Sequence, residues 1–268
     1  MPRFAANLSM TFTDLDFLDR FTAARRQGFA AVEYLFPYAY PKLDLAARLK
    51  GEGLEQVLFN TPPGDWENGE RGIAALPGRE AEFRKALESA LDYAVALECP
   101  RLHVMAGLVP ANASPDSYRE TFLRNLAWAA PLAVAAGVQL LLEPLNAIDF
   151  PGYLVGSVDS ACGIIAAVGS DNVFLQYDLY HAQMSQGRLA QNFRDHFDLI
   201  RHVQIAGAPG RHEPDDRQEI NYPFLFSLMD ELGYKGWVGC EYRPLAGTVV
   251  GLSWAASWGI GPKAAKPQ

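Results

Sequence analysis

The chain has 268 residues, 49% hydrophobic and 20% charged, a globular composition long enough for a full hydrophobic core. A net charge of −8 and an isoelectric point of about 5.2 argue against nucleic acid or an anionic membrane as the main partner, and no apolar run approaches the ~18 residues of a membrane span. Cys99, Cys162 and Cys240 are odd in number, far apart and form no C-x-x-C pair, so they read as reduced thiols of a cytoplasmic protein, and the opening MPRFAANLSM is too short and polar for a signal peptide.

Short apolar runs alternate with amphipathic stretches. Phe4–Leu8 reads as a strand, followed by a helix over Thr13–Gln27 with Thr13 as N-cap and Gly28 as its stop. Ala30–Leu35 precedes a helix over Leu43–Lys50, and Leu54–Asn60 leads into the long loop TPPGDWENGERGIAALPG. Arg79–Glu98 places Phe83, Leu87, Leu91 and Ala94 on one helical face. Arg101–Met105 is followed by Pro115–Ala136, which Pro131 is expected to kink or split. Val138–Glu143 precedes a helix over Ser157–Val168, and Val173–Tyr177 a weak helix near Leu189–His196. Ile200–Ile205 precedes Tyr222–Glu231, and Trp237–Glu241 precedes a final helix over Gly247–Trp258.

Strands separated by helical stretches imply βαβ units and a parallel sheet. Eight such units in a chain of this length fit a single α/β domain over residues 1–260, a (β/α)8 TIM barrel, with 261–268 as a loose tail. A doubly wound sheet would carry a Gly-rich turn after its first strand, where this chain has NLSMTFTD.

In such a barrel, chemistry sits where strands end. The last four strands end in Glu143 (LLLEP), Asp178 (FLQYD), Gln204 (HVQIA) and Glu241 (VGCEY). Each side chain taken alone is as readily a polar cap of the barrel. Four in succession, three of them acidic, would repel without a cation, and an all-oxygen set suits Mg²⁺ or Mn²⁺ better than Zn²⁺.

The stretches FAANLSM, AVEYLFPY, LFNTPPGD, ALPGRE, HVMAG, LEPLN, DLYHAQ, HVQIAG, PGRHEPDD, EINYPFLF and GWVGCEY run in order through nearly the whole chain. With them the sequence resembles the hydroxypyruvate isomerase group of the xylose isomerase-like TIM barrels. The resemblance implies a divalent metal held by Glu143, Asp178, Gln204 and Glu241, with Glu143 and Glu241 as the acid/base pair. Gln204 stands where many relatives outside the group carry histidine. The chain departs from the pattern at Val249 and Val250, where acidic residues are usual.

The group's chemistry moves a carbonyl between adjacent carbons of a small hydroxy-oxo acid through an enediolate. Hydroxypyruvate is the leading substrate, and 2-oxo-tetronate, one carbon longer, is the alternative. Such chemistry needs two carboxylates and a charge-stabilising cation. The substrate's own carboxylate calls for a guanidinium, with Arg211 as first candidate and Arg71 as second, either of which could equally be a surface ion pair. His181 is expected to bind a substrate hydroxyl or orient a ligand. His103, Glu33, Asn7, Asn60 and Asp149 are expected to line the pocket. His196 and His202 read as structural, and Tyr34, Phe36, Trp66 and Tyr180 as pocket wall or plain packing. Sugar epimerisation, metal-dependent phosphodiester cleavage on the same barrel and non-catalytic sugar-acid binding are the rival functions. The exposed final helix leaves room for a homo-oligomer.

Overall fold

Short strands buried on both faces and an apolar stripe on the helices between them leave one economical solution, a closed sheet wrapped by helices. The computed structural model describes residues 1–262 and has that form. Eight parallel strands close into a barrel in chain order: β1 Arg3–Asn7, β2 Ala31–Glu33, β3 Glu55–Asn60, β4 Arg101–His103, β5 Gln139–Leu142, β6 Val173–Asp178, β7 Ile200–Ile205 and β8 Trp237–Cys240, with β8 pairing back onto β1. The tail expectation falls almost wholly on residues outside those described.

The helices are α1 Asp19–Arg26, α2 Lys42–Glu52, α3 Glu80–Ala96, α4 Pro115–Ala135, α5 Val158–Val168, α6 Leu179–Ser185, α7 Leu189–Asp195, α8 Tyr222–Glu231 and α9 Thr248–Gly251, followed by a 3₁₀ segment over Leu252–Trp258. In α3, Phe83, Leu87, Ala90, Leu91 and Ala94 are buried, the stripe its spacing implies. A reciprocal capping box between Ser157 and Ser160 starts α5, and Gly169 in the left-handed region ends it.

Three expectations need correction. Thr13 caps nothing, because α1 begins at Asp19. The preceding turn is held by tertiary bonds instead, with Phe12 at φ 57° and its N–H donating 2.6 Å to Thr248 Oγ1. Pro131 does not split α4: the proline faces solvent while Ala129, Ala130 and Ala133 pack inward on either side. The final helix gives way after one turn to the 3₁₀ segment, where Gly251 lies against the Glu213 carboxylate. Helix α6 was not expected. It starts directly from the last residue of β6, and Asp178 itself is its cap.

Two apolar clusters divide the interior. The larger fills the space between barrel and helices. The smaller comprises Ala5, Ala31, Val57, Leu58, Leu141 and Trp237, with Phe174 against it. Phe4 and Ala6, Val32, and Leu140 and Leu142 belong to the larger cluster while their neighbours Ala5, Ala31 and Leu141 belong to the smaller. Because strand side chains alternate, the smaller cluster is the barrel's own filling, and residues two or four further along each strand stand above it.

Candidate active site

The same alternation aims a column of polar side chains up the barrel axis: Asn7 and Glu33 above Ala5 and Ala31, Glu143 above Leu141, Gln176 and Asp178 above Phe174, Gly239 and Glu241 above Trp237. His202 and Gln204 of β7 are in register with Gln176 and Asp178. All of these polar residues are buried.

The lower polar layer is tied together through Glu33. The Glu33 carboxylate accepts from Asn7 Nδ2 at 3.0 Å and Gln204 Nε2 at 2.9 Å, and His202 Nε2 lies 2.6 Å from its other oxygen. Gln204 Oε1 accepts from Gln176 Nε2 at 2.6 Å. The expected pocket-lining residues Asn7 and Glu33 are therefore struts beneath the site. His202 is structural, as expected. Gln204 stands at the strand end the sequence indicates, with its amide held at both ends by this layer. A Cβ at Gly239 would lie 2.3–2.5 Å from the Glu33 carboxyl atoms, so the missing side chain of β8 is the space Glu33 occupies.

Above this layer three carboxylates converge with one guanidinium. Arg211 Nη2 donates to Glu241 Oε2 at 3.0 Å and lies 3.8 Å from Asp178 Oδ2. Arg211 sits at φ 55° in the loop after β7, with its guanidinium 5.1 Å from the Tyr180 ring centroid. The candidate clamp is thus committed to the site's own acids. Asp178 Oδ1 accepts from the backbone N–H groups of Tyr180 (2.7 Å) and His181 (3.4 Å), which leaves Oδ2 without a hydrogen bond among the described residues. Glu143 Oε1 is equally unbonded, and its Oε2 is 3.2 Å from His103 Nδ1 without hydrogen-bond alignment.

Burial and mutual repulsion dominate the electrostatics. Burial pushes Glu241 up to about 8, against the pull of Arg211. It also raises Asp178, and it drives Glu143 well above the carboxylate range, with Glu241 and Asp178 adding repulsion. Burial lowers His103 to about 3 and takes His181 well below the usual imidazole value, so both are neutral near pH 7.

Orphaned buried oxygens around a cation-poor centre are what a divalent ion satisfies. One ligand atom from each of Glu143, Asp178 and His181 lies within 4.8 Å of the others. The donor set therefore fits a divalent metal. His181 enters this group by geometry, although the sequence suggested it for substrate.

The remaining candidates lie around the rim. Asp149 is exposed; its Oδ2 accepts from Asn146 Nδ2 at 3.0 Å and Tyr180 Oη at 2.9 Å. Asn60 is buried, with its carbonyl accepting from Tyr38. Arg71 stacks 4.0 Å over Trp66, which packs on Phe36, and donates to the Trp66 and Glu70 carbonyls. Tyr34 is core. His212 and His196 stand outside the carboxylate group, with His212 Nδ1 2.9 Å from the Arg243 carbonyl. Sequence reasoning missed three supports. Tyr222 Oη bridges the N–H and carbonyl of Ala206, Glu213 accepts from Leu245 N–H, and Asn146 contacts His181. The last lies in E-P-x-N, and that motif was the available signal.

The sequence profile of the family described as "Xylose isomerase-like TIM barrel" matches residues 21–258. A 2-oxo-tetronate isomerase of Cupriavidus necator is 54% identical over 95% of this chain and 97% of that protein. A hydroxypyruvate isomerase of Escherichia coli is 43% identical over 95% of this chain and 98% of its own length. A crystal structure from Brucella melitensis, described as an AP endonuclease, family 2, superposes with a TM-score of 0.94 at 47% identity, covering 96% of this chain and 99% of that one.

Proposed function

Because the chain belongs to the xylose isomerase-like TIM barrel family, we propose that it is an isomerase that moves a carbonyl between adjacent carbons of a small hydroxy-oxo acid. From sequence alone hydroxypyruvate stands first. The identities of 54% to a 2-oxo-tetronate isomerase and 43% to a hydroxypyruvate isomerase shift the weight toward the four-carbon acid. The observation that carries the reading is the convergence of Glu143, Asp178 and Glu241, buried, around Arg211, with carboxylate oxygens left unbonded.

Glu143 and Glu241 are the acid/base pair of this reading. Glu241 is the base, because Arg211 at 3.0 Å opposes the upward push of burial and makes it the more readily ionised of the two. Glu143 is the other member of the pair and returns a proton to the neighbouring carbon. Mg²⁺ or Mn²⁺ is the cation, held by Glu143, Asp178, Gln204 and Glu241. When bound, such an ion stabilises negative charge developing on the substrate oxygens. Arg211 orients Glu241, and Arg71 is left as the candidate for the substrate carboxylate. Nothing in the donor set calls for nucleic acid, and a cytoplasmic setting agrees with the unpaired cysteines.

Glu143→Gln and Glu241→Gln test the pair. Each is expected to lower turnover of both acids by about 10²–10⁴-fold with the fold intact. kcat/KM for 2-oxo-tetronate is expected to exceed that for hydroxypyruvate. Retained turnover in both variants would sink the acid/base assignment, and cleavage of abasic-site DNA with no isomerisation would replace the reading with the nuclease one.

A further inference from the structure

We infer that Asn146 holds His181 as its Nε2–H tautomer, so that His181 offers the site a hydrogen-bond donor and is not a metal ligand. His181 Nδ1 faces two donors, the Asn146 side-chain nitrogen at 2.7 Å and the Asn146 backbone N–H at 3.2 Å. The orientation of that amide is fixed by its surroundings. Asn146 Oδ1 accepts from the backbone N–H groups of Ile148 (3.0 Å) and Asp149 (2.9 Å), so the opposite end is the amino group. The amino group divides its two protons between Asp149 Oδ2 at 3.0 Å and His181 Nδ1. Tyr180 Oη donates to the same Asp149 oxygen at 2.9 Å and keeps it an acceptor.

A proton on Nδ1 would point at two N–H groups, which disfavours both the Nδ1–H tautomer and the imidazolium, so Nδ1 is bare. The single proton of the neutral ring then sits on Nε2. That nitrogen is buried, has no hydrogen-bond partner among the described residues, and lies 3.8 Å from Asp178 Oδ2. A protonated nitrogen has no free lone pair for a metal. The group formed by Glu143, Asp178 and His181 therefore reduces to its two carboxylates, and the imidazole becomes a neutral donor aimed at a substrate oxygen. Asn146 is a positioning residue in this scheme, and Asp149 with Tyr180 keeps it turned the right way. Only the identity of the substrate rests on the proposed function; the tautomer does not.

Two-bond ¹H–¹⁵N spectra of the full-length protein, labelled on its histidines, read the tautomer directly. The His181 signals are assigned by their loss in His181→Gln. The expected spectrum shows a bare Nδ1 and a protonated Nε2, unchanged by excess Mg²⁺. A proton on Nδ1, or an Nε2 that loses its proton or shifts on adding Mg²⁺, overturns the inference. Asn146→Asp puts an acceptor where the amino group stood. It is expected to move the proton to Nδ1 and to lower kcat on the accepted acid by about 10²-fold with KM nearly unchanged. A variant that keeps the Nε2–H tautomer, or keeps full kcat, overturns it as well. If Asn146→Asp does not fold, the wild-type spectrum decides alone. If the wild type turns over neither acid, the proposed function fails while the spectrum still decides for or against Asn146.

Discussion

At the residue scale the site depends on a side chain that is absent. Gly239 lies in β8 between Trp237 and Glu241, and the Glu33 carboxylate fills its space. Glu33 in turn holds the amide of Gln204, so the glycine, the strut and the strand-end glutamine form one unit. Gly239→Ala is expected to cost about 1–3 kcal/mol through forced displacement of Glu33. Urea unfolding measures it, and the same change in a Glu33→Asp background is expected to cost less, since the shorter acid can retreat. An equal cost in both backgrounds would detach the glycine from Glu33. The strand-end acids were legible in the sequence because an isolated carboxylate closing an apolar run has few places to go. Their partners were not, because Glu33 and His202 meet across 169 positions of chain.

At the element scale, caps and turns do more positioning than helix propensity. Asp178 ends β6, caps α6 with one oxygen and leaves the other to the site. Helix α6 leaves little trace in the sequence, because its cap is a strand-end acid and seven residues are too few for a periodic stripe. The Ser157–Ser160 box at the start of α5 has no such second duty. Ser157→Ala is expected to lower stability by about 1 kcal/mol while leaving kcat unchanged. Thermal melts and turnover assays check the two halves, and a loss of turnover would mean that α5 is coupled to the site. Helix α1 failed its expected start for the opposite reason. Thr13 has the right side chain for a cap, but the bond from Phe12 to Thr248 fixes the turn elsewhere.

At the scale of the whole molecule, three buried acids make stability depend on pH. Glu241 titrates at about 8 in the folded chain against an ordinary value of 4.5, and Glu143 and Asp178 shift the same way. Between those values the folded protein holds protons that the unfolded chain has released, so the metal-free protein loses stability as pH rises from about 4.5 to about 8. His103 acts at the other side. Its folded value of about 3 lies below the ordinary 6.5, so stability also falls as pH drops from about 6.5 toward 3. A divalent ion at this site would bind the ionised carboxylates and relieve the repulsion. Excess Mg²⁺ is therefore expected to raise the melting temperature more at about pH 8 than at about pH 6. Scanning calorimetry with and without Mg²⁺ checks this, and an equal or larger gain at the lower pH would remove these acids from the metal site.

By itself the sequence determined the barrel, the order of its strands and the level at which Glu143, Asp178, Gln204 and Glu241 stand. Those properties follow from local periodicity: apolar runs of strand length, helical stripes between them, and a polar residue where each strand leaves the core. Only the tertiary structure decided what each of those groups touches. Arg211 meets Glu241, Asn7 meets Glu33, and Asp149 meets Asn146. The physical reason is that hydrogen bonds and ion pairs are fixed by contacts between residues remote in the chain, and strand periodicity sets which way a side chain points without naming what it meets.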